Sequence, residues 1–145
     1  VLSKRQADPA THPLRLMLSQ LEMAALLRAQ GKTEAAEAQL RAINPVAFAD
    51  EPWRQGFVDM ETARIAAARG EFKSAIAQSL LAETKLSSGL GADHADLWLQ
   101  RMDRAEWLAA DAQPAAARAL AAQITSKTAA SIADDSYWSK RLGTL

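Results

Sequence analysis

The sequence predicts an all-α chain of three stacked, antiparallel helical pairs, and three observations carry that prediction. Apolar residues recur at i, i+3 and i+4, as at Met23, Ala24, Leu26 and Leu27, and no stretch alternates like a strand. The segment Met23–Leu40 (MAALLRAQGKTEAAEAQL) returns in outline at Thr62–Leu81 and again at Arg104–Leu120. Aligning Gly31, Gly70 and Ala112 gives spacings of 39 and 42 residues, a period that belongs to helical solenoids. Finally, 33 of 145 residues are alanine, the best helix former and small enough to let helix axes approach closely.

The polar stretch 1–10 reads as a tail. Thr11 is the expected N-cap of a first helix over about 13–30, with Pro13 in its first turn. Gly31 suits the left-handed residue just past a helix end. A second helix over about 33–43 carries the stripe Ala35, Ala36, Leu40 and Ile43, and Asn44-Pro45 stops it. After a loop at 46–51, Asp50 caps a third helix over about 52–69, ended by Gly70. A fourth helix runs over about 72–85. Ser87, Ser88, Gly89 and Gly91 then make the most flexible connection expected in the chain. Asp93 is the expected N-cap of a fifth helix over about 94–111, with Asp96 adding negative charge to its first turn. Gln113-Pro114 opens a sixth helix, ending near residue 126. A C-terminal helix over about 129–142, with Ile132, Tyr137, Trp138 and Leu142, is expected to cap the stack. All five prolines fall at these boundaries, which supports the map independently of the apolar pattern.

Composition bounds the function. The chain is one domain, 1–145, with repeats at about 13–45, 52–86 and 94–126, and 49% hydrophobic residues suffice for a continuous core. Net charge is zero, so no nucleic-acid partner is expected. Without cysteine there is neither disulfide nor thiolate chemistry, and the compartment, cytoplasmic or periplasmic, stays open. No apolar run reaches bilayer length, so direct membrane insertion is not expected of what reads as a soluble domain. The opening Val1 and the lack of a leader read as a domain excised from a longer protein.

The repeated residues resemble a tetratricopeptide repeat array over about 13–124. They are the mid-helix Ala24, Ala63 and Ala105, the turn residues Gly31, Gly70 and Ala112, the openers Thr33, Phe72 and Pro114, and the later Ala36, Ala75 and Ala117. The period exceeds the family's usual 34 residues. Leu90-Gly91-Ala92-Asp93-His94 is similar to a segment of the long, kinesin light chain type of repeat. Such repeats occur in bacterial Ser/Thr protein kinases and transcription regulators. The resemblance implies a right-handed α-solenoid, a TPR-like fold, whose first helices line a concave face. Its contact offsets fall on Leu18, Leu21, Ala25 and Arg28, then Phe57, Met60, Arg64 and Ala67, then Leu99, Met102, Glu106 and Ala109. An apolar strip beside two arginines suits an amphipathic or acidic peptide. Packing within the array, or against a neighbouring repeat, is the competing reading of the same residues.

Catalysis is not expected. His12 and His94 sit at helix starts without metal-ligand company. The acidic pairs Asp93/Asp96 and Asp134-Asp135 lie where helix starts favour negative charge. Trp107 is expected in the core, and Trp53 and Trp98 partly exposed. The expected function is therefore a protein–protein interaction module or scaffold, with no enzyme activity, cofactor or metal. The alternative is a sensor domain of a bacterial signalling protein that answers a ligand or peptide. Self-association through the end repeats is a further expectation.

Overall fold

Six helices and two short 3-10 turns make up most of the computed structural model, which describes residues 12–128 and 140–145. They are α1 (Pro13–Ala29), α2 (Thr33–Arg41), α3 (Gln55–Ala68), α4 (Phe72–Leu90), α5 (Ala95–Ala110) and α6 (Pro114–Thr128). Residues 140–142 are also helical. The fold is all-α, with no strand among the described residues. The expected tail 1–10, Tyr137, Trp138, the Asp134-Asp135 pair and most of the C-terminal helix lie outside the described residues.

Three turns of one geometry join α1 to α2, α3 to α4 and α5 to α6. Their central residues all have positive φ: Gly31 at 77°, Gly70 at 78° and Ala112 at 56°. In each, the residue after the centre donates its N–H back across the turn. Lys32 bonds the Leu27 carbonyl, Glu71 that of Ala66, and Gln113 that of Leu108, each at 2.9 Å. This is a Schellman closure, which satisfies carbonyls left over at the helix end. Glycine adopts it at no steric cost, whereas Ala112 carries a Cβ into the left-handed region.

Small residues set the spacing within each pair. Seven residues before each turn centre stand Ala24, Ala63 and Ala105, and five after it stand Ala36, Ala75 and Ala117. None of the six is more than 1% exposed. A larger side chain there would push the helices apart, overpacking that costs about 1–3 kcal/mol per site.

Several boundaries differ from the sequence reading. The N-caps are His12 and His94 rather than Thr11 and Asp93. Each imidazole Nδ1 accepts the backbone N–H two residues on, at 3.2 Å. Asp50 caps nothing: α3 is preceded by a 3-10 turn, Pro52–Arg54, whose N-cap Glu51 makes no side-chain cap bond. The loop after α2 holds another 3-10 turn, Pro45–Phe48, with the Asn44 side chain accepting from Val46 N–H at 3.0 Å.

The largest difference concerns the connection expected to be flexible. Residues 87–90 continue α4 to Leu90. The Ser87 and Ser88 hydroxyls donate to the carbonyls of Thr84 and Lys85, so they add bonds within the helix. Trp53 packs on Gly89 so closely that a Cβ there would lie 2.1 Å from the indole. Gly89 is therefore a contact site, not a helix breaker. Gly56 likewise fits under Leu86, which is fully buried.

The core runs along the molecule in three clusters. Met17, Ala24, Ala36, Leu40, Ile43, Ala47 and Ile65 form the first, and Ala63, Ala66, Ala75 and Trp107 the second. Met102 and Ile124 form the third, covered by Leu142 and Leu145 from the chain's end. Ile65 of α3 thus reaches into the first pair, and Trp107 of α5 into the second. Each pair seals the one before it.

Candidate functional site

An open cleft of about 530 Å³ lies between α1, α3 and α5. Arg28 of α1, Arg64, Ala67 and Ala68 of α3, Phe72 of α4, and Leu99, Asp103 and Trp107 of α5 line it, with Arg141 from the C-terminal segment. It exists because α5 rests on α4 of the preceding two helices and meets α3 mainly through long side chains, whereas α3 packs against both α1 and α2.

The charged residues of this region form one connected chain of ion pairs. Arg28 Nε donates to Glu61 at 2.6 Å, and Glu61 lies 3.6 Å from Arg64. Arg64 Nε donates to Asp103 at 2.9 Å. Arg141 donates to Asp103 at 2.8 Å and to Glu106 at 2.6 Å. Burial disfavours the Arg141 charge, but the bonds to Glu106 and Asp103 outweigh it and hold its pKa above the ordinary arginine value.

Cations and anions of this chain are not equally presented. The Glu61 side chain is 5% exposed, against 27% for Arg28 and 25% for Arg64. Glu61 therefore points inward, whereas Asp103 is about as covered as Arg141 and Glu106, at 37%, is the most exposed of the set. Three arginines and one carboxylate line the cleft, so its surface is positive although the cluster balances. Arg28 contacts Glu61 through Nε alone, which leaves its terminal nitrogens for a ligand. Ala67, Ala68, Phe72, Leu99 and Trp107 supply an apolar floor. The arrangement can hold a carboxylate beside an apolar group.

The nine expected contact residues divide. Arg28, Arg64 and Leu99 line the cleft, as does Ala67. Glu106 stands beside it, bonded to Arg141. Leu18 is exposed on α1, away from the cleft, and Leu21 packs against the first core cluster. Phe57 stacks obliquely on Trp53 at 6.0 Å, and Met60 is half-buried outside the cleft. Met102 is a correction: it is fully buried on Ile124, because its side of α5 faces α6. Trp107 is a core residue with one edge on the cleft, as expected for a mid-helix tryptophan, and Trp98 is half-buried under Arg101, whose guanidinium lies 4.2 Å from its ring.

Sequence reasoning missed Asp103, Phe72, Ala68 and Arg141. An acid nine residues before each turn centre (Glu22, Glu61, Asp103) was a legible signal for Asp103. Arg141 had none. Among the described residues no group of three or more His, Asp or Glu could hold a metal ion, and no helix is long and apolar enough to cross a membrane. No family model, no curated protein and no solved structure matches the chain.

Proposed function

We propose that this chain is a protein–protein interaction module, a tetratricopeptide-like right-handed solenoid of three helical pairs, that takes a partner's peptide segment in the cleft beside Arg28 and Arg64. One observation carries the reading: three guanidiniums and one carboxylate line an open cleft with an apolar floor, and Glu61, which holds Arg28, stays buried. Three turns of one geometry and six buried alanines at fixed offsets support the repeat assignment. The ligand is a segment with an acidic side chain next to an aliphatic or aromatic one. The cleft is open to solvent, which favours a peptide over the small ligand of a sensor domain.

Selection of random displayed peptides against the whole chain tests this. Enriched peptides carry the acidic–apolar pairing and lose roughly 10-fold or more in affinity on an Ala68→Trp variant, which fills the cleft without touching a charge. Arg64→Gln weakens them similarly. Circular dichroism confirms that both variants are folded. Peptides that bind parent and variants equally would place the contact elsewhere and sink the cleft reading.

A further inference from the structure

One helix face is covered in two pairs and bare in the third. Nine residues before each turn centre stands an acid, and five before it a large apolar residue. In the second pair these are Glu61 and Ile65, in the third Asp103 and Trp107. Both pairs use them to grip the preceding pair. Glu61 accepts from Arg28 while Ile65, 2% exposed, enters the first core cluster. Asp103 accepts from Arg64 while Trp107, 9% exposed, enters the second. The same positions on α1 are Glu22 and Leu26. Glu22 is exposed, with no ion-pair partner among the described residues, and Leu26 is 53% exposed. One turn earlier on the same stripe, Leu18 is 46% exposed. None of the three lines the cleft.

We propose that this face of α1 is a docking surface for a helix–turn–helix pair of a partner protein. That pair presents an arginine to Glu22 and aliphatic side chains to Leu26, as Arg28, Leu40 and Ile43 serve Glu61 and Ile65. Continuity with two interfaces within the chain and charge complementarity at Glu22 support this docking, which is independent of the cleft. A second copy stacked head to tail does not fit. The donor positions, three and six residues before the turn, hold Arg28 and Arg64 in the first two pairs but Ala109 and Glu106 in the third. The guanidinium that stands beside those positions is Arg141, and Asp103 and Glu106 already engage it.

The test supplies the occupant as a defined probe. Residues 13–51 are duplicated in tandem ahead of Pro13 in the whole chain. Pro13 and Pro52 both lie 18 residues before their turn glycines, so the native 39-residue spacing is kept. In cis, the high effective concentration makes even weak docking visible. If the face is competent, the duplicated chain unfolds in one transition with a urea m-value raised by roughly a quarter, in proportion to the surface added. Leu26→Asp in the second copy then lowers its Tm by several degrees, on the order of 5 °C, and Glu22→Gln by less, whereas both changes are nearly silent in the original chain. An unchanged m-value, or an added pair that protease strips off while the rest stays folded, overturns the proposal. So does a dimer of the original chain in sedimentation that Leu26→Asp dissolves, because a second copy would then be the occupant.

Discussion

The two interfaces between successive pairs use one scheme and reach different results. At the first, α3 lies on both α1 and α2, and Met17, Leu40, Ile43 and Ile65 close it with aliphatic contacts. Its outer ion pair, Arg69 with Glu37, is solvent-facing. At the second, the wedge is Trp107, and α5 settles on the 19-residue α4 rather than on α3. Here the polar contacts range from half-buried to buried. Glu83 takes Arg101 and Arg104, each at 2.7 Å, while Gln100 and Arg104 bond Ser79. The difference teaches that a repeated recognition scheme does not dictate a repeated surface. A compact wedge closes the space between first helices, and a bulky one borne by the second helix leaves a cleft.

The largest effect expected from breaking this comparison is at the wedges. Trp107→Ala costs about 4 kcal/mol and Ile65→Ala about 3 kcal/mol, since each removes a buried side chain that joins two pairs. Only the first also deforms the cleft. Urea titration reads both costs, and peptide affinity separates them. Equal loss of peptide binding in the two variants would mean that the interfaces are not distinct.

The half-buried Glu83 ion pairs of the second interface come next. Burial pushes the Glu83 pKa up, but the hydrogen bond from Arg101 and the attraction and bond of Arg104 outweigh it, so it lies below the ordinary glutamate value. A carboxyl with a depressed folded pKa stabilises the fold above its unfolded pKa of about 4.3 and stops doing so as pH falls through the folded value. Glu83→Gln is therefore expected to cost about 2 kcal/mol at pH 7, with much of that from leaving Arg104 poorly paired. The gap to the parent shrinks as pH drops below about 4. Thermal unfolding of both proteins across pH 3–7 checks it, and a pH-independent gap would remove the carboxylate from the explanation.

The smallest effect sharpens the comparison at the turns. Ala112→Gly is expected to stabilise the third turn by about 0.5 kcal/mol, the relief of a left-handed alanine less the added freedom of the unfolded chain. Gly70→Ala is expected to destabilise the second turn by about 0.5 kcal/mol, because the left-handed strain it adds exceeds the unfolded-chain freedom it removes. The urea midpoints should move in opposite directions. Movement in the same direction would mean that the two turns are not equivalent.

What the sequence determined by itself is what short-range physics controls. Helix periodicity, turn glycines, boundary prolines and the buried alanines at fixed offsets act within about one turn or one pair, so all could be read along the chain. Arg28 and Arg64 were reached through the contact offsets that the repeat resemblance implies. Tertiary structure decided what depends on groups far apart in sequence. Glu61 meets Arg28 across 33 residues and Asp103 meets Arg64 across 39, and these contacts fix where the two guanidiniums sit. It also made Gly89 a seat for Trp53 rather than a hinge, and turned Met102 into the core instead of the groove. The cleft is the clearest case. It follows from where α5 comes to rest, and that is settled by how the Trp107 indole, α4 and the half-buried Glu83 network pack together, not by any local pattern.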